Sequence, residues 1–384
     1  MVYRVKANPK MIKWAREDAG YDFEELPKNL AKAPLWESGE LQPTWKDLRN
    51  LANKYKRPPI FYLMSEPPED EDDQIIEFRA PEKIKDYSPA LRLEIRKSKY
   101  RRNAFISLNN EMGFNLTNFS KQKINSNNSS LFAKKLREIL DVPVETQKKW
   151  IFNDNGQKKY NHSIFLYKWK EIVYNLGILV FETEDVSEKE MSGLSLYNDI
   201  CPIILLNGKN NHNRRIFTLI HELAHIFMGE STICDVDKKN QKESFCNKVA
   251  AEVLVPSPLK DEQVFYKKGT VKVGPLSHEY GISKQAIVIR LYSLNKVSKE
   301  FKDQELHYIE LYNKDQKRKQ KERNKLSKGG GMSAIDKKKK YEGKAYSRFI
   351  LNAYENKIIS PTKFMRYLDL PVDAADSLYE LVSD

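Results

Sequence analysis

Apolar residues fall at helical spacing over most of the chain and condense into strand-like runs at only two places. Met11, Ile12, Ala15 and Ala19 form a first stripe, with Asn8 and Pro9 ahead of it and Gly20 behind it. Those flanks suit an N-cap, a first turn and a C-terminal stop. A second stripe, Leu48, Leu51 and Tyr55, opens at Thr44 and closes at Arg57 and Pro58. Asp47 stands at capping-box distance from Thr44. The acidic stretch "SEPPEDEDD" reads as a linker. Residues 74–123 return to a helical pattern, with Leu91, Leu93, Ile95, Phe105, Ile106 and Leu108 among many charges, and "INSNNSS" interrupts it. Between 131 and 207 a helical segment, "LFAKKLREIL", precedes the two strand-like runs, "GILVFET" and "CPIILLN".

A longer helix, "RRIFTLIHELAHIFMGE", follows the second run directly. Beyond Pro258 lie a short helical region, "GPLSHEYGISKQAIVIRLYSL", and a lysine-rich helix. The flexible joint "SKGGGM" then leads into a basic helical tail. The pattern predicts an α+β protein that is mostly helical with a small sheet. Its parts are a helical domain at 1–65, a helical connector at 74–123, a mixed core at 131–258, a helical extension at 259–328 and the basic tail at 333–384. No internal repeat is visible.

Composition narrows the classes. A chain of 384 residues with a mean hydropathy of -0.67 and 31% charged residues implies several units with much exposed helical surface. The net charge of +13 suits a polyanion, but much of the excess sits in two local runs, 317–328 and 337–340. Charge alone is therefore weak support for DNA binding. No apolar run is long enough to cross a membrane and the N-terminus has no signal-peptide core, so a cytoplasmic protein is expected. The three cysteines, Cys201, Cys234 and Cys246, lack CxxC spacing and are expected as reduced thiols.

The chemistry concentrates in the HExxH of the long helix. Positions i and i+4 share a helix face, so His221 and His225 can aim two imidazole nitrogens at one ion. Glu222 is adjacent to the first ligand and suits a general base for a metal-activated water. Phe217, Ile220, Ala224 and Phe227 fall on another stripe, which predicts a helix buried on one side with the histidine face lining a cleft. Gly229 is placed to end it.

A catalytic zinc needs a third protein ligand. Glu243, in the first turn of a helix expected from about Asn240 to Pro256, qualifies if that helix packs antiparallel to the first. Asn240 and Glu243 equally fit a capping box, and spacing alone leaves the two roles open. Asp235, Asp237 and Glu252 are weaker ligand candidates, and Cys234 and Cys246 suit small buried positions. Tyr280 and Arg290 are candidates for stabilising an oxyanion. His278 shares that region, and His212 and Arg214 precede the metal helix.

"RRIFTLIHELAHIFMG" followed by "ESFCNKVAAEVLVP" resembles the ImmA/IrrE family of zinc metallo-endopeptidases. The elements that carry the resemblance are Arg215, Phe217, Thr218, His221, Glu222, His225, Glu243, Cys246, Asn247, Ala250, Ala251 and Pro256. The resemblance implies a zincin-like core, with His221, His225 and Glu243 as zinc ligands and Glu222 as the catalytic base. Arg215 and Asn247 would then be supporting residues. It further implies that "CPIILLN" is a strand beside the cleft, to which an extended substrate adds as an edge strand. Residues 6–26 and 36–68 resemble the XRE-like helix-turn-helix domain that often precedes this peptidase, and the segments after Pro258 and from Gly343 resemble helical extensions of some members.

One departure bears on recognition. Only nine residues, among them Pro27 and Pro34, separate Leu26 from Trp36, where a DNA-reading domain needs a turn and a recognition helix. The recognition helix is thus expected to be shortened or lost, and protein docking is favoured over direct DNA reading. The expected function is zinc-dependent endoproteolysis of a regulatory protein, either a repressor or a toxin or antitoxin partner. The competing expectation is a DNA-binding antitoxin or transcriptional regulator that uses the peptidase fold as a partner-binding scaffold.

Overall fold

The computed structural model describes residues 3–67, 87–116, 118–152, 162–234, 241–257, 273–326, 343–371 and 374–383. They form two compact units, Met1–Tyr100 and Arg101–Asp384. In the first, α1 (Pro9–Ala19), α2 (Ala33–Glu37) and α3 (Trp45–Tyr55) enclose a core of Met11, Ile12, Ala15, Trp36, Leu48, Leu51 and Tyr55. The expected caps are present: Asn8 accepts from the Lys10 amide, and Thr44 and Asp47 cap each other. Between α1 and α3 there are only two three-residue 3-10 turns and the five-residue α2. Pro34 stands in the first turn of α2, where its missing N–H costs nothing.

The boundary between the units falls inside α4 (Pro89–Glu111). The first turns of α4 are tied to the first unit by side chains that no periodicity reveals. Arg96 and Arg57 both donate to Asp18 at 2.9 Å, and Arg92 donates to the Glu17 carbonyl at 2.9 Å. Residues 68–73 of the acidic linker, the start of the expected connector and the "SKGGGM" joint lie outside the described residues.

The second unit is built on α5 (Ser129–Leu140), α6 (Val144–Lys149), α7 (His162–Asn175), β1 (Leu179–Thr183), β2 (Gly193–Leu196), β3 (Ile203–Asn207), α8 (His212–Met228), β4 (Thr232–Cys234) and α9 (Gln241–Leu254). The sheet order is β1-β3-β2-β4, with β1 parallel to β3 and the other pairs antiparallel. The two apolar runs become β1 and β3, buried along their whole length as continuous apolar strands should be. The two strands that the sequence pattern missed, β2 and β4, span four and three residues, too short for alternation to register.

This topology corrects one expectation. "CPIILLN" is not an edge: both hydrogen-bonding sides of β3 are taken, by β1 and by β2, so it cannot accept an added substrate strand. The strand beyond β2 is β4.

Helices α10 (Val273–Tyr280), α11 (Lys284–Ser293) and α12 (Lys299–Leu326) extend the same core, and α13 (Lys344–Glu355), α14 (Pro361–Leu368) and α15 (Ala375–Ser383) follow. The tail is not merely a basic appendage. Tyr346 meets Phe181 of β1 edge-on at 5.5 Å, Phe349 meets Phe105 at 4.5 Å, and Ile350 and Phe364 are fully buried.

Gly281, just after α10, has φ of 68°, and a Cβ there would stand 2.1 Å from the buried Phe165 ring of α7. Gly281→Ala combines left-handed backbone strain with overpacking, so it should destabilise the protein by about 2–4 kcal/mol, read from urea unfolding. A variant as stable as wild type would disprove the close approach of α10 to α7.

Candidate metal centre

Helix α8 is held at both ends by local chemistry. The Asn211 side chain accepts from the Arg214 amide at 2.9 Å, and Gly229, at φ of 77°, closes the helix as its amide and that of Glu230 bond back to the Ile226 and His225 carbonyls. The expectation of a one-sided helix does not hold. From Arg215 to Phe227 every residue is buried except the half-buried Phe217, because α8 packs against β2 and β3 as well as against α7 and α9. Glu222 and His225 are 0% exposed and His221 is 5% exposed.

The start of α9 lies beside the second half of α8, and this brings three donors together. His225 Nε2 is 3.2 Å from His221 Nε2, and Glu243 reaches both rings, with Oε2 at 3.1 Å from His221 Nε2 and Oε1 at 3.4 Å from His225 Nε2. These are the one group of histidine, cysteine and carboxylate side chains among the described residues that converges tightly enough to hold a metal ion. Asn240, the rival cap partner of Glu243, lies outside the described residues, as do Asp235 and Asp237.

Electrostatics follow from the crowding. Burial opposes ionisation of Glu243, but hydrogen bonds and charge from His221 and His225 outweigh it and hold the carboxyl well below the usual range. Burial likewise disfavours a charged His225, yet the bond to Glu243 and the charges of Glu222 and Glu243 raise its pKa above the ordinary value. Burial, reinforced by Glu243 and Glu222, pushes the Cys246 thiol up.

Glu222 sits against the sheet. Thr232 of β4 donates to its Oε2 at 3.4 Å, and Ser195 of β2, the register partner of Thr232, holds that hydroxyl at 3.0 Å. Its Oε1 is buried with no hydrogen-bond partner among the described residues. Gly193 of β2 leaves room for the carboxylate: a Cβ there would stand 3.1 Å from Oε1 and 2.3 Å from Thr218 Cγ2. Sequence reasoning passed over Gly193, Ser195 and Thr232. Their only local signal is a small-residue stretch too short to classify.

The remaining candidates are placed elsewhere. Arg215 forms a buried ion pair with Glu182 of β1, which Lys170 of α7 also reaches at 3.2 Å. Asn247 is exposed on α9. Arg290 donates to the Val255 carbonyl at 3.0 Å and pairs with Glu252, while the carbonyl of buried Tyr280 accepts from Gln147 at 3.0 Å. Arg290 therefore serves the C-terminal end of α9, three turns from Glu243, and the Tyr280 backbone is tied to the same glutamine that caps this end. Arg214 donates to the Ser192 hydroxyl at 2.8 Å, His212 is exposed at the start of α8, and His278 is half-buried on α10.

Residues 174–292 match the family model of the IrrE N-terminal-like domain, a peptidase M78 family. The match spans under a third of the chain and contains the triad, Glu222 and the whole sheet. It supports the ImmA/IrrE resemblance over this core and a metallopeptidase-type function for it. No curated protein and no solved structure matches the chain significantly.

A proton held on His225 competes with an ion for the ring's lone pair, while Glu243 remains ionised through neutrality. Affinity for added zinc or cobalt(II), followed by calorimetry, should rise from about pH 5.5 to about pH 7.5, with protons released on binding. Affinity that is flat or falls over that window would remove the triad as the binding site.

Proposed function

We propose that the core is a zinc-dependent endopeptidase that cleaves a regulatory protein, of the repressor, toxin or antitoxin kind. The observation that carries this reading is the convergence of His221, His225 and Glu243 beside the buried carboxylate of Glu222. The donor set fits the ion. Ligands about 2.0–2.2 Å from zinc in tetrahedral array stand roughly 3.3–3.6 Å apart; here the two Nε2 atoms are 3.2 Å apart, and one carboxylate oxygen of Glu243 stands 3.1 Å from His221 and the other 3.4 Å from His225. Three protein ligands with a fourth position open are the pattern of catalytic rather than structural zinc.

Zinc bound by the triad would supply a Lewis acid that acidifies water and polarises a peptide carbonyl. Glu222 supplies the proton chemistry. Its Oε2 is steadied by Thr232, which leaves Oε1 to accept a proton from the attacking water. The same oxygen then returns that proton to the leaving amine. Gly193 keeps the space beside Oε1 clear.

Residues 1–65 serve in this reading to dock the protein partner. Helix α2, at five residues, is only about 7.5 Å long, short for a helix that reads a major groove. Among the described residues no helix is long and apolar enough to cross a membrane.

Glu222→Gln should retain stoichiometric zinc while cleavage falls by about 100-fold or more. Terminal-amine profiling of cells producing wild type or the variant tests this directly. New protein N-termini confined to wild-type cells support endoproteolysis, and identical sets of N-termini overturn it.

A further inference from the structure

Both nitrogens of the His225 ring are engaged. Nε2 faces His221 and Glu243, whereas Nδ1 lies 3.6 Å from Sγ of Cys246. His225 and Cys246 are both 0% exposed, so solvent does not share this contact. The row continues, since the Cys246 thiol lies 3.7 Å from Sδ of Met228. Met228 is the last residue of α8 and Cys246 lies one turn beyond Glu243 in α9, so the row joins the two helices behind the triad.

The direction of the row follows from what each atom can do. A thioether sulfur carries no hydrogen and only accepts, so the hydrogen between the two sulfurs belongs to the thiol. With that hydrogen turned to Met228, Sγ meets His225 as an acceptor. A neutral imidazole has one N–H and one lone pair, so Nδ1 then carries the hydrogen and Nε2 the lone pair.

We propose that Cys246 is a positioning residue that sets the tautomer of His225, through Nδ1–H to Sγ and S–H to Sδ, so that the Nε2 lone pair faces His221 and Glu243, where a metal would be held. Metal-binding histidines are usually fixed by a carboxylate or carbonyl at the second nitrogen. A thiol is a weaker acceptor, so it orients the ring while donating less electron density to it. Nothing in the HExxH spacing announces this role. It arises because Cys246 falls on the buried face of α9 at the level of His225.

The proposal rests on the triad's being a metal site, and the two can fail separately. Glu243 would itself draw a hydrogen to Nε2 when no metal is bound, so the tautomer is read without that carboxylate. Long-range proton–nitrogen NMR on full-length, zinc-free Glu243→Ala protein at about pH 9, where imidazoles are neutral, reads the tautomer of His225, assigned by adding His225→Ala. Glu243→Ala should show the Nδ1–H form, and adding Cys246→Ala should remove that preference. Competition with a chromophoric chelator should show zinc binding weakened about tenfold in Cys246→Ala alone, with rescue in Cys246→Ser, whose hydroxyl also donates and accepts. An Nε2–H tautomer in Glu243→Ala, or a Cys246→Ala protein that binds zinc as tightly as wild type, overturns the role of the thiol. Wild type that binds no zinc overturns the triad as a metal site, while the tautomer still decides the role of Cys246. Should Cys246→Ala fail to fold, the Glu243→Ala spectrum and Cys246→Ser decide it.

Discussion

A helix buried on every side has to satisfy whatever polar groups it carries, and α8 carries Arg215, His221, Glu222 and His225 in its buried stretch. An unpaired charge or polar group at such a position costs several kcal/mol, so the surrounding elements are constrained to bring partners. Each does. Strand β1 brings Glu182 to Arg215, α9 brings Glu243 and Cys246 to the histidines, and β4 brings Thr232 to Glu222. The site and the core are thus one construction, since the residues that would hold a metal also satisfy one another in the apolar interior.

The placement of Glu243 depends on how α9 is held at its other end. The carbonyls of Val253, Leu254 and Val255, which lack helical partners, receive Arg137, Gln147 and Arg290. Burial lowers the pKa of the Arg137 guanidinium to about 10, a sign of how completely this end is enclosed. Gln147 also takes the Tyr280 carbonyl, which draws α10 into the same arrangement. Arg290, a residue with the chemistry of an oxyanion stabiliser, is thereby used for architecture. Glu252, a carboxylate with the chemistry of a ligand, is used to pair an arginine.

The sheet plays a comparable double part. Strands β1 and β3 are apolar and buried, and the shorter neighbouring pair, β2 and β4, is where the polar side chains meet α8. Ser195 and Thr232 can approach Glu222 because they are cross-strand partners on the helix-facing side. Gly193, two residues from Ser195, shares that face and makes the approach sterically feasible. In the first unit the same logic operates with other residues: Asp18 gathers Arg57 and Arg96, and Glu37 holds Arg16 in a two-point ion pair.

The sequence by itself determined what is local and periodic. The capped helices α1 and α3, the buried strands β1 and β3, and the end of α8 at Gly229 follow from spacing and end residues. So does the pairing of His221 with His225, because four residues is one helical turn. Tertiary structure alone decided everything that depends on residues distant along the chain. Whether Glu243 caps a helix or faces two imidazoles depends on where α9 docks, and periodicity carries no information about docking. The all-round burial of α8, the interior position of β3, the boundary inside α4 and the thiol behind His225 have the same origin. Each is a contact between segments whose own patterns are complete without it, so the reason for it lies in the packing of the core.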